Sequence, residues 1–145
     1  MNSYMNKSVP LFQPGDEYSD NNRQFQGIPG IESSPSSRLW ATWYGGGKDE
    51  DENNYVMLST SGDDGNSWSG LKLVIDPDGP GPVRAFDPCL WLDPSGRVWL
   101  FWAQGLNKQR SKTSGTWAMI TGNPDSENPE WSGHLRICDG ILMNK

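Results

Sequence analysis

With 145 residues and an apolar fraction of only 34%, the chain is too polar to build one thick aliphatic core. A formal net charge of −6 leaves no Lys and Arg clusters of the kind that phosphate backbones and anionic lipid require, so nucleic acid and membrane partners are set aside. No stretch approaches the roughly 20 apolar residues of a membrane span, and MNSYMNKSVP lacks the apolar stretch of a signal peptide. The chain as written reads as cytoplasmic, or as secreted or periplasmic if a leader was removed, so its compartment stays unknown.

Eight tryptophans, 17 glycines and 11 prolines suit many short strands joined by tight turns and packed with large aromatics. The fold expected is all-β. Cys89 and Cys138 are too few for a disulfide framework and form no CxxC spacing, so two free, largely buried thiols are expected. His134 is the only histidine. One imidazole cannot support a histidine-based zinc site or a Ser-His-Asp triad, and no metal or cofactor is expected.

Residues 1–22 read as an N-terminal extension. Beyond them lies a repeat: IPGIESSPSSRLWATWYG from Ile28 aligns without a gap with DPCLWLDPSGRVWLFWAQ from Asp87, at a constant offset of 59 residues. Pro29 falls on Pro88, Pro35 on Pro94, Arg38 on Arg97, Trp40 on Trp99 and Trp43 on Trp102. Each copy has the grammar of a hairpin, an apolar run, a Pro-Ser turn and a Trp-rich run. Tryptophans three apart on a strand lie on opposite faces, so these strands are sandwiched, as the inner strands of a propeller blade are. Each hairpin is followed by a second, YVMLSTSGDDGNSWSG and WAMITGNPDSENPEWSG, which makes four strands per unit. The units predicted are a first blade over 23–82, a second over 83–133, and the first strand of a third over 134–145, where HLRICDGILMNK mirrors VRAFDPCLW. A chain stopping there is truncated, and its open strand edge and bare blade face predict self-association.

The most specific local signal is Ser61-Gly62-Asp63-Asp64-Gly65-Asn66-Ser67-Trp68, which fits S-x-D-x-G-x-x-W. Asp63 is placed to accept backbone N–H groups of its own turn, Gly65 to supply positive φ, and Trp68 to pack under the hairpin. The spaced acids and closing Glu of an EF-hand are missing, so the segment is read as a staple rather than a calcium loop. Asn123-Pro124-Asp125-Ser126-Glu127-Asn128-Pro129-Glu130-Trp131 looks like a decayed copy, with the Asp and Trp but no glycine.

These features resemble the sialidase (neuraminidase) superfamily, the proteins with BNR or Asp-box repeats, over roughly Arg23 to Lys145. The resemblance implies a partial six-bladed sialidase-like β-propeller, two four-stranded blades and the start of a third. It also implies exo-acting glycoside hydrolysis of terminal acidic sugars of glycans, with a tyrosine nucleophile. The family's Arg-Ile-Pro motif falls on Gly27-Ile28-Pro29, so the arginine that grips the substrate carboxylate is Gly27 here; Arg23 or Arg84 are the candidates to replace it. The family's acid/base aspartate falls in Gly45-Gly46-Gly47-Lys48-Asp49-Glu50-Asp51-Glu52, with Asp51 preferred and Asp49 next, against a merely solvated charge run. Arg84 and Asp87 before the second unit, and Arg136 with Asp139 and Asn144-Lys145 before the third, are expected to converge on the propeller axis as substrate-binding groups; Arg84 and Asp87 pairing across a blade edge is the plainer alternative. Tyr44 and Tyr55 read as packing residues. The nucleophile and its glutamate would come from later blades, so these 145 residues alone are expected to be inactive. A non-catalytic carbohydrate-binding propeller, and a lyase or hydrolase of other acidic glycans, are the competing readings.

Overall fold

The computed structural model describes residues 3–106 and 113–141. Eight strands form two four-stranded antiparallel sheets, each in simple meander order. The first holds β1 (Gln26–Ser33), β2 (Leu39–Gly45), β3 (Tyr55–Ser61) and β4 (Leu73–Ile75). The second holds β5 (Val83–Leu92), β6 (Val98–Leu106), β7 (Gly115–Thr121) and β8 (Leu135–Asp139). Among the described residues the remaining regular structure is three short 3-10 turns near the N-terminus.

The repeat maps strand onto strand, and two four-stranded units are observed as expected. The third unit is not. Leu135–Asp139 pairs with β7, Gly115 opposite Asp139 and Ala118 opposite Leu135, and so completes the second sheet as its fourth strand. Its true counterpart is β4, which likewise follows the tryptophan that closes the preceding loop. A basic residue before a short apolar run is common to β5 and β8, and local pattern cannot separate them; the ladder to β7 does.

The two sheets stack through one core. Trp40, Tyr44, Val56, Leu58, Leu73 and Ile75 of the first sheet meet Phe86, Leu90, Leu100, Trp102, Trp117 and Met119 of the second, all buried. Burying each such side chain is worth roughly 2–3 kcal/mol, so this seam is the main source of stability. The inner strands come close at Gly30, where an added Cβ would lie 3.9 Å from the backbone of Pro88 and Cys89.

The opposite face of the first sheet carries Tyr55, Met57 and Val74 and is covered by Leu11 and Tyr18 of the N-terminal extension. Leu11 exchanges both backbone hydrogen bonds with Val74, at 2.9 and 3.0 Å, which caps the outer edge of β4. Further back the same segment reaches the second sheet, where Gln104 Nε2 donates to the carbonyls of Tyr4 and Asn6. Residues 4–23 are thus a strap across both blades. On the far face of the second sheet Trp91 tilts against Trp99, and Trp99 stacks parallel on Phe101. Neither Cys89 nor Cys138 is in a disulfide, and only Cys89 is buried. Cys138 is exposed because it lies on the outermost strand.

Candidate functional site

At the end of the sheets where β2 finishes and β5 begins, one buried side chain organises the surroundings. Asn54 is fully buried. Its Nδ2 donates to the carbonyls of Gly46 and Asp49, both at 3.0 Å. Its Oδ1 accepts the backbone N–H of Asp51 at 2.9 Å and Nη1 of Arg84 at 2.8 Å. Its own carbonyl accepts the N–H of Ala85 at 3.1 Å. A single amide therefore fixes the acidic loop of the first blade and the entrance of the second strand set at once.

Within that loop Asp51 forms a local turn, accepting N–H groups from Asn53 at 2.9 Å and Lys48 at 3.4 Å. Asp49 is exposed and accepts the N–H of Glu50 at 2.8 Å. Glu50 turns inward, and its Oε1 accepts the phenol proton of Tyr44 at 2.6 Å. Burial first, then Glu50 as hydrogen-bond acceptor and neighbouring charge, and then the charge of Asp87, push the Tyr44 phenol well above the usual tyrosine range. Tyr44 is fully buried between Phe25 and Phe86, so it packs as expected and also anchors the loop.

Asp87 sits on a β-bulge of β5 with φ 46°, directly before Pro88. Its repeat-equivalent Ile28 sits on a matching bulge of β1 with φ 49°, directly before Pro29. Positive φ in a residue other than glycine costs of order 1–3 kcal/mol, and bulges re-aim the side chain they carry. Asp87 is half-buried beside Tyr44, and Ile28 is exposed.

Of the four arginine and aspartate positions expected to converge, Arg84 and Asp87 lie near each other beside Tyr44, and Arg23 and Arg136 lie elsewhere. Arg84 is 1% exposed, with its guanidinium carbon 3.9 Å above the Phe86 ring and Nη1 on Asn54, inside the seam. Arg23 has a side chain only 3% exposed, on the other face of the first sheet, bound to Asp20 and the Tyr18 carbonyl and 3.3 Å from Gln26 Oε1. Arg136 lies on β8, three strands or about 14 Å from β5, paired with Asp139 at 2.6 Å. Because β8 is a fourth strand and not a first one, it lies at the outer rim, away from the inner entrances. Asn144 and Lys145 fall outside the described residues. Glu50 and Asp87 come together beside Tyr44 with Arg84 near them, and Asp49 and Asp51 are tied to this place through their backbones by Asn54. Asn54 and the anchoring role of Tyr44 were not among the residues singled out by sequence, and Glu50 stood there only as one of the four loop carboxylates, behind Asp51 and Asp49. Asn54 gave one usable signal, a polar residue immediately before an apolar strand.

At the opposite end of the first blade, Asp63 Oδ1 accepts Ser61 Oγ and the N–H of Ser67, both at 2.8 Å, and Oδ2 accepts Ser67 Oγ at 2.5 Å. Ser61 Oγ accepts the N–H of Gly65 at 2.9 Å, and Gly65 has φ 82°. These bonds hold the Asp63 carboxyl below the usual range, those from Ser67 first. Trp68 lies over Gly65 but stays 42% exposed and so does not bury under the hairpin.

No family model and no curated protein matches the chain. Among solved structures, a Hadza microbial sialidase superposes with a TM-score of 0.64 at 20% identity, over 81% of this chain and 27% of that one. The fold is that of a sialidase-like β-propeller. A Dyadobacter fermentans protein of unknown function superposes with a TM-score of 0.57 at 16% identity, over 90% of this chain and 40% of that one. The two sheets are therefore two blades of such a propeller, and the chain spans well under two thirds of either neighbour.

Proposed function

We propose that these two blades form part of a sialidase-like, exo-acting glycoside hydrolase, and that they supply its acid/base loop rather than its grip on a substrate carboxylate. The observation that carries this reading is Asn54, which ties the backbone of Asp49 and Asp51 to the buried Arg84 by hydrogen bonds of 2.8–3.0 Å. A loop fixed by a buried amide holds its carboxylates in register for proton transfer, as a merely solvated charge run would not. Asp49 and Asp51 are the candidate acids, Asp87 accepts sugar hydroxyls from the strained bulge, and Arg84 offsets the gathered negative charge from below.

The bound states of Arg23, Arg84 and Arg136, together with Gly27 in the Arg-Ile-Pro position, favour a second reading, a carbohydrate-binding propeller without hydrolysis. Saturation-transfer NMR of the chain with N-acetylneuraminic acid and with its uncharged methyl ester tests the shared part. The expectation is contact with both, no preference for the acid, and weaker contact in Asp49→Asn/Asp51→Asn. Preference for the acid, or no contact with either sugar at millimolar concentration, would overturn it. Turnover of an aryl sialoside that Asp51→Asn abolishes would decide for hydrolysis over binding alone.

A further inference from the structure

The turn joining β1 to β2, Ser34 to Arg38, and the turn joining β5 to β6, Asp93 to Arg97, occupy equivalent places in the repeat but are closed by different chemistry. In the second blade Asp93 does all of it. Oδ1 accepts the N–H groups of Ser95 and Arg97 at 2.9 and 3.0 Å, and Oδ2 accepts Nε of Arg97 and the Trp99 indole N–H at 2.7 and 2.9 Å. Burial pushes this carboxyl up, but the four bonds more than offset it and hold it at about 2.

In the first blade position 34 is serine, which reaches only one of the four donors, the N–H of Arg38 at 3.0 Å. The other three are met by the second blade. Asp125 Oδ1 accepts the N–H of Ser36 at 2.9 Å and Oγ of Ser34 at 2.5 Å. The Asp125 carbonyl accepts Nε of Arg38 at 2.9 Å, and the Pro124 carbonyl accepts the Trp40 indole N–H at 2.8 Å. Each donor has its counterpart in the other turn, Ser36 for Ser95, Arg38 for Arg97 and Trp40 for Trp99. The first-blade turn is also the less comfortable one, because Ser37 takes φ 71° where the second blade has Gly96 at φ 79°. Beyond the turn, Lys72 holds Glu127 and Asn128 of the same loop at 3.0 Å, and Trp131 packs edge-on against Trp40.

We propose that loop 123–128 is an interblade latch: it lends the first blade the acceptor its turn lacks, and so makes closure of that turn conditional on docking of the second blade. The latch fits one partner only. Brought against a turn like that of the second blade, the same loop would set its carboxylate beside Asp93, and like charges within hydrogen-bond reach repel. Blade order is thereby specified by which turn carries its own acid.

Exchanging the two residues tests this at constant composition and net charge. Ser34→Asp, Asp125→Ser and the exchange S34D/D125S are compared by urea unfolding and by hydrogen exchange of the Ser36 and Arg38 amides. Asp125→Ser should lower the midpoint and reduce protection of the Ser36 amide by about tenfold. Ser34→Asp should also lower the midpoint, since it sets two carboxylates face to face. The exchange should recover most of the midpoint and of the amide protection, with the carboxylate now at position 34 acting as Asp93 does. An exchange variant no more stable than the weaker single variant, or Asp125→Ser with Ser36 protected as in the wild type, would overturn the latch. Where a single variant fails to fold, the exchange is read against the wild type instead, and an exchange variant that also fails to fold overturns the latch.

Discussion

Replacing Asn54 with alanine deletes four side-chain hydrogen bonds, and their settings are unequal. The bonds to the carbonyls of Gly46 and Asp49 and from the N–H of Asp51 join neutral groups, so each loss costs about 0.5–1 kcal/mol. Arg84 is different. At 1% exposure its guanidinium cannot recruit solvent where Asn54 Oδ1 stood 2.8 Å away, and a buried charge losing a partner costs about 2–3 kcal/mol. The total is about 3.5–6 kcal/mol, a large share of the 5–15 kcal/mol typical of a folded domain. Asn54→Asp separates the parts, because it keeps an acceptor for Arg84 while its second oxygen meets the carbonyls of Gly46 and Asp49 that the amide had donated to; it should cost about 2–3 kcal/mol, still less than Asn54→Ala. Urea unfolding at pH 7, followed by tryptophan emission, reads both. An Asn54→Ala penalty under about 1 kcal/mol, or equal penalties for the two variants, would refute the assignment of Asn54 as the node.

Three further outcomes are expected. Burial raises Asp76 to about 6 although Tyr18 donates to it at 2.9 Å. A raised acid binds its proton more tightly folded than unfolded, so its stabilisation is greatest at low pH and declines between about 4 and 6; Asp76→Asn should therefore raise Tm at pH 7.5, by about 1–2 kcal/mol of stability, and change little at pH 4. His134 behaves in the opposite sense. Burial, and then the charge of Lys7, lower it to about 4 against a backbone hydrogen bond with Ser8, so stability present above about 6.5 is lost as pH falls toward 4, by about 2 kcal/mol. Thermal melts of His134→Phe across that range should show a flatter acid limb than the wild type. Ser37→Gly, at φ 71°, should stabilise by about 0.5–1 kcal/mol, measured as a higher urea midpoint; a lower midpoint would show that the serine makes a contact worth more than the strain.

The blade architecture was legible because it rests on short-range grammar repeated at one spacing. Alternating aromatics, Pro-Ser turns and the Ser61–Trp68 segment act within a few residues of themselves, and the ladders follow them. Pairing partners are a different matter. Leu135–Asp139 and the start of β5 look alike locally, and only hydrogen bonds to residues 115–118 distinguish a fourth strand from a first. The same holds for Asp125, which reads as part of a decayed loop but serves as acceptor for a turn 91 residues away in sequence. The arginines failed for a related reason. A guanidinium on a long stem reaches in several directions, and spacing along the chain does not say whether Arg84 turns to solvent or to Asn54. Asn54 itself has no pattern to betray it, because its value lies in four partners drawn from two blades.

The paired bulges of β1 and β5 have a consequence for how such a chain can change. At both places the backbone kink and the following proline are kept, while the residue on the kink is isoleucine in one blade and aspartate in the other. Core residues on either side need not move when that side chain is exchanged. Each inner strand therefore presents a socket in which chemistry can be rewritten by one codon, with the packing of the blades left as it was.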